Sequence, residues 1–147
     1  MAGASLPISV VVVEDQDIQG ALQRLLRATG NLRPPFRDMG EYLLRAERER
    51  FAAQRAPDGQ SWAPLSPAYV ARKKKHRGLK LVLDGFLRDL MRYQVSATAI
   101  EFGTDRVYGA THQFGAPERG IPPRPFLGLS AEDGVQILDI VADHLSR

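Results

Sequence analysis

The sequence predicts an α+β fold, in which a small antiparallel sheet packs with helices. Three observations predict it. Residues 8–13 are rich in β-branched side chains, which favour a strand. Apolar residues recur at helical spacing in three other segments, including the C-terminal one. Apolar and polar residues alternate on both sides of residues 97–99, which is typical of a β-hairpin. The sheet should therefore consist of the N-terminal strand and this hairpin.

Composition narrows the class of protein. The 147 residues are 44% hydrophobic and 25% charged, ordinary values for a globular protein, and the length suits a single domain spanning residues 1–147. The chain has no cysteine, which excludes disulfides, thiolate catalysis and Cys-ligated zinc. No stretch approaches the ~18–20 apolar residues of a membrane span. We therefore expect a soluble, unexported protein with no membrane partner.

The first two helices follow the strand. Asp15 or Asp17 can cap the N-terminus of the first helix, and Gly30 can end it. The helix has one shared apolar face. That face consists of Ile18, Leu22, Leu25 and Leu26. The pair Pro34-Pro35 is expected to separate it from a second helix of about Phe36 to Gln54.

The second helix has a main apolar stripe and two apolar residues outside it. The stripe consists of Phe36, Met39, Tyr42, Leu43, Ala46 and Ala53. Leu44 and Phe51 lie about a third of a turn or more from it. They form either the rim of a wide core face or a second contact surface for another subunit.

The middle of the chain turns at Asp58-Gly59 and carries the sole tryptophan, Trp62, which is expected to fill a core or interface gap. Ser66 can cap a short helix that leads into a basic segment. A brief helix at residues 108–114 should stop at Gly115. The four prolines between Ala116 and Pro125 predict a stiff, extended loop.

The last helix begins with Ser130 and Asp133, which resemble a capping box, and runs to about Leu145. Five residues line one of its faces: Ala131, Val135, Leu138, Ala142 and Leu145. Three bulkier residues widen the apolar arc well beyond it: Ile137, Ile140 and Val141. A helix that is apolar over so wide an arc is typically sandwiched, either within its own domain or between chains.

Positive charge is concentrated in one segment, although the net charge is only +3. Six of the nine residues from Arg72 to Lys80 are basic: Arg72, Lys73, Lys74, Lys75, Arg77 and Lys80. They form either a solvated or interface-paired helix end, or a patch that faces nucleic-acid phosphates. No aromatic residue interrupts them, so a nucleic-acid contact would be to the backbone and independent of base sequence.

Signatures of catalysis are missing from the sequence. His76, His112 and His144 do not have metal-ligand spacing. There is no G-x-S-x-G elbow, Walker-type loop or G-x-G-x-x-G. His112 is interpreted as structural, with a catalytic base as the minor alternative. The sequence predicts a non-enzyme without cofactor or metal.

Three blocks, in this order, together resemble one family. They are Pro57-Asp58-Gly59 with Trp62, Pro64-Leu65-Ser66-Pro67 and the basic segment; Leu83-Asp84-Gly85-Phe86-Leu87-Arg88; and Phe102-Gly103-Thr104 followed by Tyr108–Gly115 and Ile121–Gly128. The chain resembles the phage virion morphogenesis proteins, the tail-completion proteins of Mu-like and P2-like contractile-tailed phages, over roughly Phe36 to Arg147.

The resemblance implies a structural virion protein without catalytic residues, located at the neck or tail end and assembled in the bacterial cytoplasm. It further implies a ring of α+β subunits, six by analogy with other neck proteins, that binds adjacent neck and tail proteins. The basic segment would face DNA in the channel or an acidic protein surface.

A ring needs two different complementary patches on each subunit. Apolar residues outside the expected core are the candidates for these patches: Val11, Val13, Leu44, Phe51, Phe126, Leu127, Ile137 and Ile140. For Phe126 and Leu127, the alternative is a crossover packed on its own domain. The rival function is a small, non-sequence-specific nucleic-acid-binding module that uses the basic segment.

Overall fold

The computed structural model describes residues 8–9, 16–65, 91–104 and 109–147. These residues form an α+β fold of four α-helices and a three-stranded antiparallel sheet. In chain order the elements are β1 (Ile8–Ser9), α1 (Gln16–Thr29), α2 (Arg33–Ala53), β2 (Arg92–Val95), β3 (Ile100–Thr104), α3 (Gly109–Phe114), a 3₁₀ turn (Pro117–Arg119) and α4 (Ala131–Leu145).

The sheet has the order β1–β3–β2, with both outer strands antiparallel to β3. Tyr93 pairs with Phe102, and Ile8 pairs with Thr104. The predicted hairpin is therefore confirmed. Its turn needs no Asn-Gly because the Ser96 hydroxyl oxygen accepts hydrogen bonds from the amides of Thr98 and Ala99, closing a serine turn. Of the predicted strand at residues 8–13, only Ile8 and Ser9 lie among the described residues.

The end of α1 and the start of α4 agree with the sequence, whereas the start of α2 does not. Gly30 ends α1 with a φ of 71°, and its amide donates to the Leu26 carbonyl. The expected break at Pro34-Pro35 is wrong, since α2 begins at Arg33 and contains both prolines in its first turn. Proline is tolerated there because the first amides of a helix have no carbonyl partner within it. The predicted capping box of Ser130 and Asp133 is present at the start of α4.

The core consists of two clusters of buried side chains, and Leu129 packs against both. One cluster joins α1, α2 and α4: Ile18, Ala21, Leu25, Leu32, Phe36, Met39, Ile137 and Val141. The other joins the second half of α2 to the sheet and to the loop before α4: Leu43, Phe51, Ala56, Trp62, Met91, Phe102, Phe126 and Leu127. Helix α2 is the element that the two clusters share. No helix in the described part of the chain is both long and apolar enough to cross a membrane.

The proline-rich loop is folded rather than simply extended. Ala116 and Ile121 exchange two backbone hydrogen bonds around the 3₁₀ turn, which ends at Gly120 with a φ of 70°. The expectation of an extended segment over residues 116–125 is therefore wrong in its first half. Proline fixes φ near −65°, a value that suits a tight turn as well as an extended chain.

Candidate functional site

The residues that carry the family resemblance converge on one place, which we call the motif cluster: Trp62, His112, Gln113, Arg124 and Phe126. The indole N–H of Trp62 donates to the Pro125 carbonyl at 2.6 Å. The buried guanidinium of Arg124 donates to the carbonyls of Ala63 and Pro64 at 2.8 and 2.9 Å. Segments about 60 residues apart in sequence are thus joined by side chains that bind main-chain carbonyls.

Gln113 fixes the same loop from the other side. Its side-chain oxygen accepts from the amides of Phe126 and Leu127, at 3.0 and 2.9 Å, and its side-chain nitrogen donates to the Leu127 carbonyl. The Arg124 amide donates to the His112 carbonyl at 2.7 Å. Helix α3 therefore acts as a bracket for residues 124–127, because a single amide side chain satisfies three of their backbone groups.

Aromatic side chains pack the motif cluster against α2. The ring of Phe51 meets the edge of Trp62 at a centroid distance of 5.2 Å and packs against Phe126 at 6.1 Å. All three side chains are almost fully buried. The cluster is thus an internal support for the fold.

His112 belongs to the motif cluster through its main chain and through the nearby Arg124. Burial lowers the pKa of its imidazole, and the nearby Arg124 guanidinium lowers it further. The His112 carbonyl accepts from the Arg124 amide, a contact that helps to hold the loop in place. These contacts favour the structural interpretation over the catalytic one.

A second polar group, which we call the ionic cluster, joins α2 to the start of α4. It consists of Tyr42, Glu47, Arg50 and Asp133. Arg50 donates to Glu47 Oε1 at 2.8 Å and to Asp133 Oδ2 at 3.0 Å, and the Tyr42 hydroxyl donates to Asp133 Oδ1 at 2.6 Å. Glu47 and Asp133 are 1% and 2% exposed, so one buried guanidinium faces two buried carboxyl groups.

This imbalance of charge affects the side chain of Glu47. Its Oε2 atom is buried and has no hydrogen-bond partner among the described residues. Burial raises the pKa of Glu47 to about 7, although Arg50 opposes the shift. Burial and the bond to Asp133 also raise the pKa of Tyr42, which keeps its hydroxyl a donor. Sequence reasoning missed the ionic cluster, and its only signal was a glutamate on the apolar side of α2.

The titration of Glu47 predicts a pH-dependent stability. Because its pKa is higher in the folded state than the usual 4.5, its stabilising contribution is complete below pH 4.5 and is lost as the pH rises through about 7. The loss is about 3 kcal/mol in the free energy of unfolding. Glu47→Gln should abolish it, so the variant should match the wild type at pH 4.5 and exceed it at pH 8. Urea unfolding at both pH values measures this, with the exposed Glu49→Gln as control; parallel pH profiles for wild type and Glu47→Gln would contradict it.

The predicted subunit-interface residues divide into three groups. Four of them, Phe51, Phe126, Leu127 and Ile137, are 0–7% exposed and belong to the core, so their assignment to a subunit surface is corrected. Leu44 and Ile140 are half-buried and pack against the two core clusters, as the rim of each core face. Val11 and Val13 lie outside the described residues. The reason for the correction is that the chain's own helices and loops already cover these side chains.

The six residues of the predicted basic segment also lie outside the described residues: Arg72, Lys73, Lys74, Lys75, Arg77 and Lys80. Their assignment to DNA or to an acidic partner stays a prediction.

Helix α4 has the opposite orientation to the one that its main stripe suggested. Its buried residues are Asp133, Ile137 and Val141. In the stripe, Ala131, Val135, Ala142 and Leu145 are exposed and Leu138 is half-buried. The side chains of Val135 and Leu145 are 52% and 39% exposed. The bulkier arc faces the core because it buries more apolar area per residue.

A third exposed apolar side chain lies beside the proline-rich loop. Phe114, at the end of α3, is 70% exposed. The neighbouring Pro122 and Pro123 are also exposed. Gly115 has a φ of 76°, and a Cβ there would lie 2.8 Å from the Pro123 nitrogen. This close packing of backbone on backbone holds Phe114 beside a rigid loop.

Comparison with known proteins identifies relatives along most of the chain. The model of the phage virion morphogenesis family matches residues 13–146. The tail completion protein S of Escherichia phage P2 is 31% identical over 124 residues, covering 75% of this chain and 81% of that protein. No solved structure matches.

Two Mu-type proteins are similar over a greater length. The putative capsid assembly protein G of Escherichia phage Mu is 30% identical over 146 residues, covering 92% of this chain and 93% of that protein. The Mu-like prophage FluMu G protein 2 of Haemophilus influenzae is 30% identical over 142 residues, covering 93% and 95%. All five residues of the motif cluster lie within the matched range of the family model.

Proposed function

Because the chain belongs to the phage virion morphogenesis family, we propose that it is a structural virion protein, the tail-completion subunit that joins the tail to the head. The family establishes the broader role in building the phage particle. The name of the phage P2 relative, tail completion protein S, supports the narrower one. We further propose that the subunits assemble as a ring at the neck, with six copies, in the host cytoplasm.

The proposal rests on the observation that the motif residues bind the chain's own backbone. Trp62, Gln113 and Arg124 bind carbonyls and amides of the chain itself, which leaves their polar atoms committed to the fold. Meanwhile large apolar side chains remain outside at Phe114, Val135 and Leu145. A structural subunit needs this combination: a rigid scaffold, and apolar surface that other virion components can cover.

The geometry of these exposed side chains also suits a ring. A closed ring is built from heterologous contacts, in which one patch of a subunit meets a different patch of its neighbour. Phe114 is on α3 and beside the proline-rich loop, whereas Val135 and Leu145 are on α4, so two different elements carry large exposed apolar side chains. Adjacent neck and tail proteins are the proposed partners for the surface that the ring itself leaves uncovered.

Head–tail joining can be tested with a phage that encodes this chain. Interrupting its reading frame should give lysates that contain filled heads and separate tails, seen by electron microscopy, and few infectious particles. Adding the purified protein should restore plaques, and light scattering should show discrete assemblies. Normal phage titres without the protein would contradict the proposal. So would a chain that stays monomeric and does not bind neck proteins.

A further inference from the structure

Helix α4 has an exposed face with two adjoining parts, which together we call the outer face of α4. One part is the apolar stripe: Ala131, Val135, Leu138, Ala142 and Leu145. Their alternating spacing of four and three residues is that of a seam on which another segment packs. Within the stripe, Leu138 is half-buried and packs against the core cluster of α1, α2 and α4, whereas Ala131, Val135, Ala142 and Leu145 are exposed.

The other part of the outer face is an acidic edge: Glu132, Asp139 and Asp143. At about 100° per residue these three lie within about 40° of one another and next to the apolar stripe. All three are exposed. Among the described residues, the cation paired with this edge is Arg147, which forms a 2.8 Å ion pair with Asp143. The outer face is therefore apolar along its centre and negative along one side.

Its charge determines which occupant fits. Two copies of α4 packed face to face in antiparallel orientation would bring their acidic edges together, and like charges in an interface disfavour that contact. An occupant of opposite charge gains both from burial of the stripe and from pairing with the edge. Such an occupant is present on the chain itself: the basic segment Arg72–Lys80, which contains all of the chain's lysines and follows Tyr69 and Val70.

We propose that the basic segment Arg72–Lys80 of one copy docks on the outer face of α4 of the next copy. The contact is heterologous, since it joins two different parts of the same chain, and therefore has the form that a closed ring requires. The inference rests on the proposed ring assembly and gives the surfaces through which neighbouring subunits meet.

Zero-length crosslinking tests the contact directly. A carbodiimide couples lysine amines to carboxylates that touch them, and all lysines belong to the basic segment. Assemblies made from a mixture of ¹⁴N and ¹⁵N protein should give crosslinked peptides that join Lys73, Lys74, Lys75 or Lys80 to the acidic edge with one label of each kind. Crosslinks to other carboxylates alone, or the absence of mixed-label pairs, which shows docking within one chain, would overturn the proposal.

Charge exchange provides the functional test. Asp139→Lys, or the triple change Lys73→Glu, Lys74→Glu and Lys75→Glu, should raise the concentration needed for assembly by about tenfold or more. Combining the two changes should recover most of the loss. Glu49→Lys is the matched control, because Glu49 is an equally exposed acid on α2 and outside the outer face. Circular dichroism checks that each variant is folded.

The outcomes separate this inference from the proposed function. Wild-type rings whose assembly is indifferent to Asp139→Lys and to the triple change would overturn the inference and leave the tail-completion role standing. A triple variant that loses retention on DNA but assembles normally would overturn it in favour of a nucleic-acid contact. A wild-type chain that never assembles would overturn both the inference and the proposed ring.

Discussion

Replacing Arg50 with Met should lower the free energy of unfolding by about 3–5 kcal/mol at pH 7. The change removes the hydrogen bonds to Glu47 and Asp133, and a further bond of 3.3 Å to the Gly128 carbonyl. Two carboxyl groups that are almost fully buried then face each other without a cation. Urea unfolding measures the loss, and Arg48→Met, at an exposed position of the same helix, should change stability by less than about 0.5 kcal/mol.

The loss of stability caused by Arg50→Met should depend on the other residues of the ionic cluster. With Glu47→Gln in the background, only one carboxylate is left unpaired, so Arg50→Met should cost less than it does in the wild type. The same relief is expected at pH 5, where Glu47 is protonated in the folded state. A cost below about 1 kcal/mol at pH 7, or equal costs in both backgrounds, would show that Arg50 does not hold the cluster together.

The second large effect is expected at Phe126, whose side chain is 0% exposed and packs against Phe51. Phe126→Ala should cost about 3–5 kcal/mol, because it removes a buried aromatic side chain and leaves a cavity at the centre of the motif cluster. Phe114→Ala is the matched control, since that side chain is 70% exposed, and it should leave stability within about 0.5 kcal/mol.

Thermal and urea unfolding of the two phenylalanine variants distinguish the core from the surface. A stable Phe126→Ala protein that fails only in assembly would restore the interface role that the sequence suggested for this residue. Loss of stability at Phe126 together with unchanged stability at Phe114 is the expected result.

Local signals in the sequence were sufficient for most elements. The hairpin, the end of α1 at Gly30 and the capping box at Ser130 depend on neighbouring residues, and all three were predicted correctly. The start of α2 was missed because Pro34-Pro35 was interpreted as a break, although the first turn of a helix accommodates proline.

The contacts between distant segments were beyond the reach of local patterns. Periodicity identified two apolar arcs on α4 but could not choose between them, because either could face a core. The bulk of Ile137, Ile140 and Val141 beside the alanines of the stripe was a usable signal. The pairing of Arg124 with the carbonyls of Ala63 and Pro64 had no such signal, since it depends on how two loops meet in space.

The basic segment and the motif residues contributed to the family resemblance in different ways. Trp62, Gln113 and Arg124 have structural roles that the described contacts explain. The lysines of the basic segment lie outside the described residues, and their place in the contact between subunits is the proposal made above. The family pattern thus combines residues that build the subunit with residues proposed to join it to the next.

The motif cluster is buried within the chain, and we propose that other virion components cover the exposed side chains of Phe114, Val135 and Leu145. Hydroxyl-radical footprinting of the free chain and of the assembled particle tests it by comparing the oxidation of individual side chains. Phe114, Val135 and Leu145 should be labelled in the free chain and protected after assembly, while Trp62 and Phe126 should be protected in both. Unchanged labelling of all three exposed residues on assembly would contradict the claim.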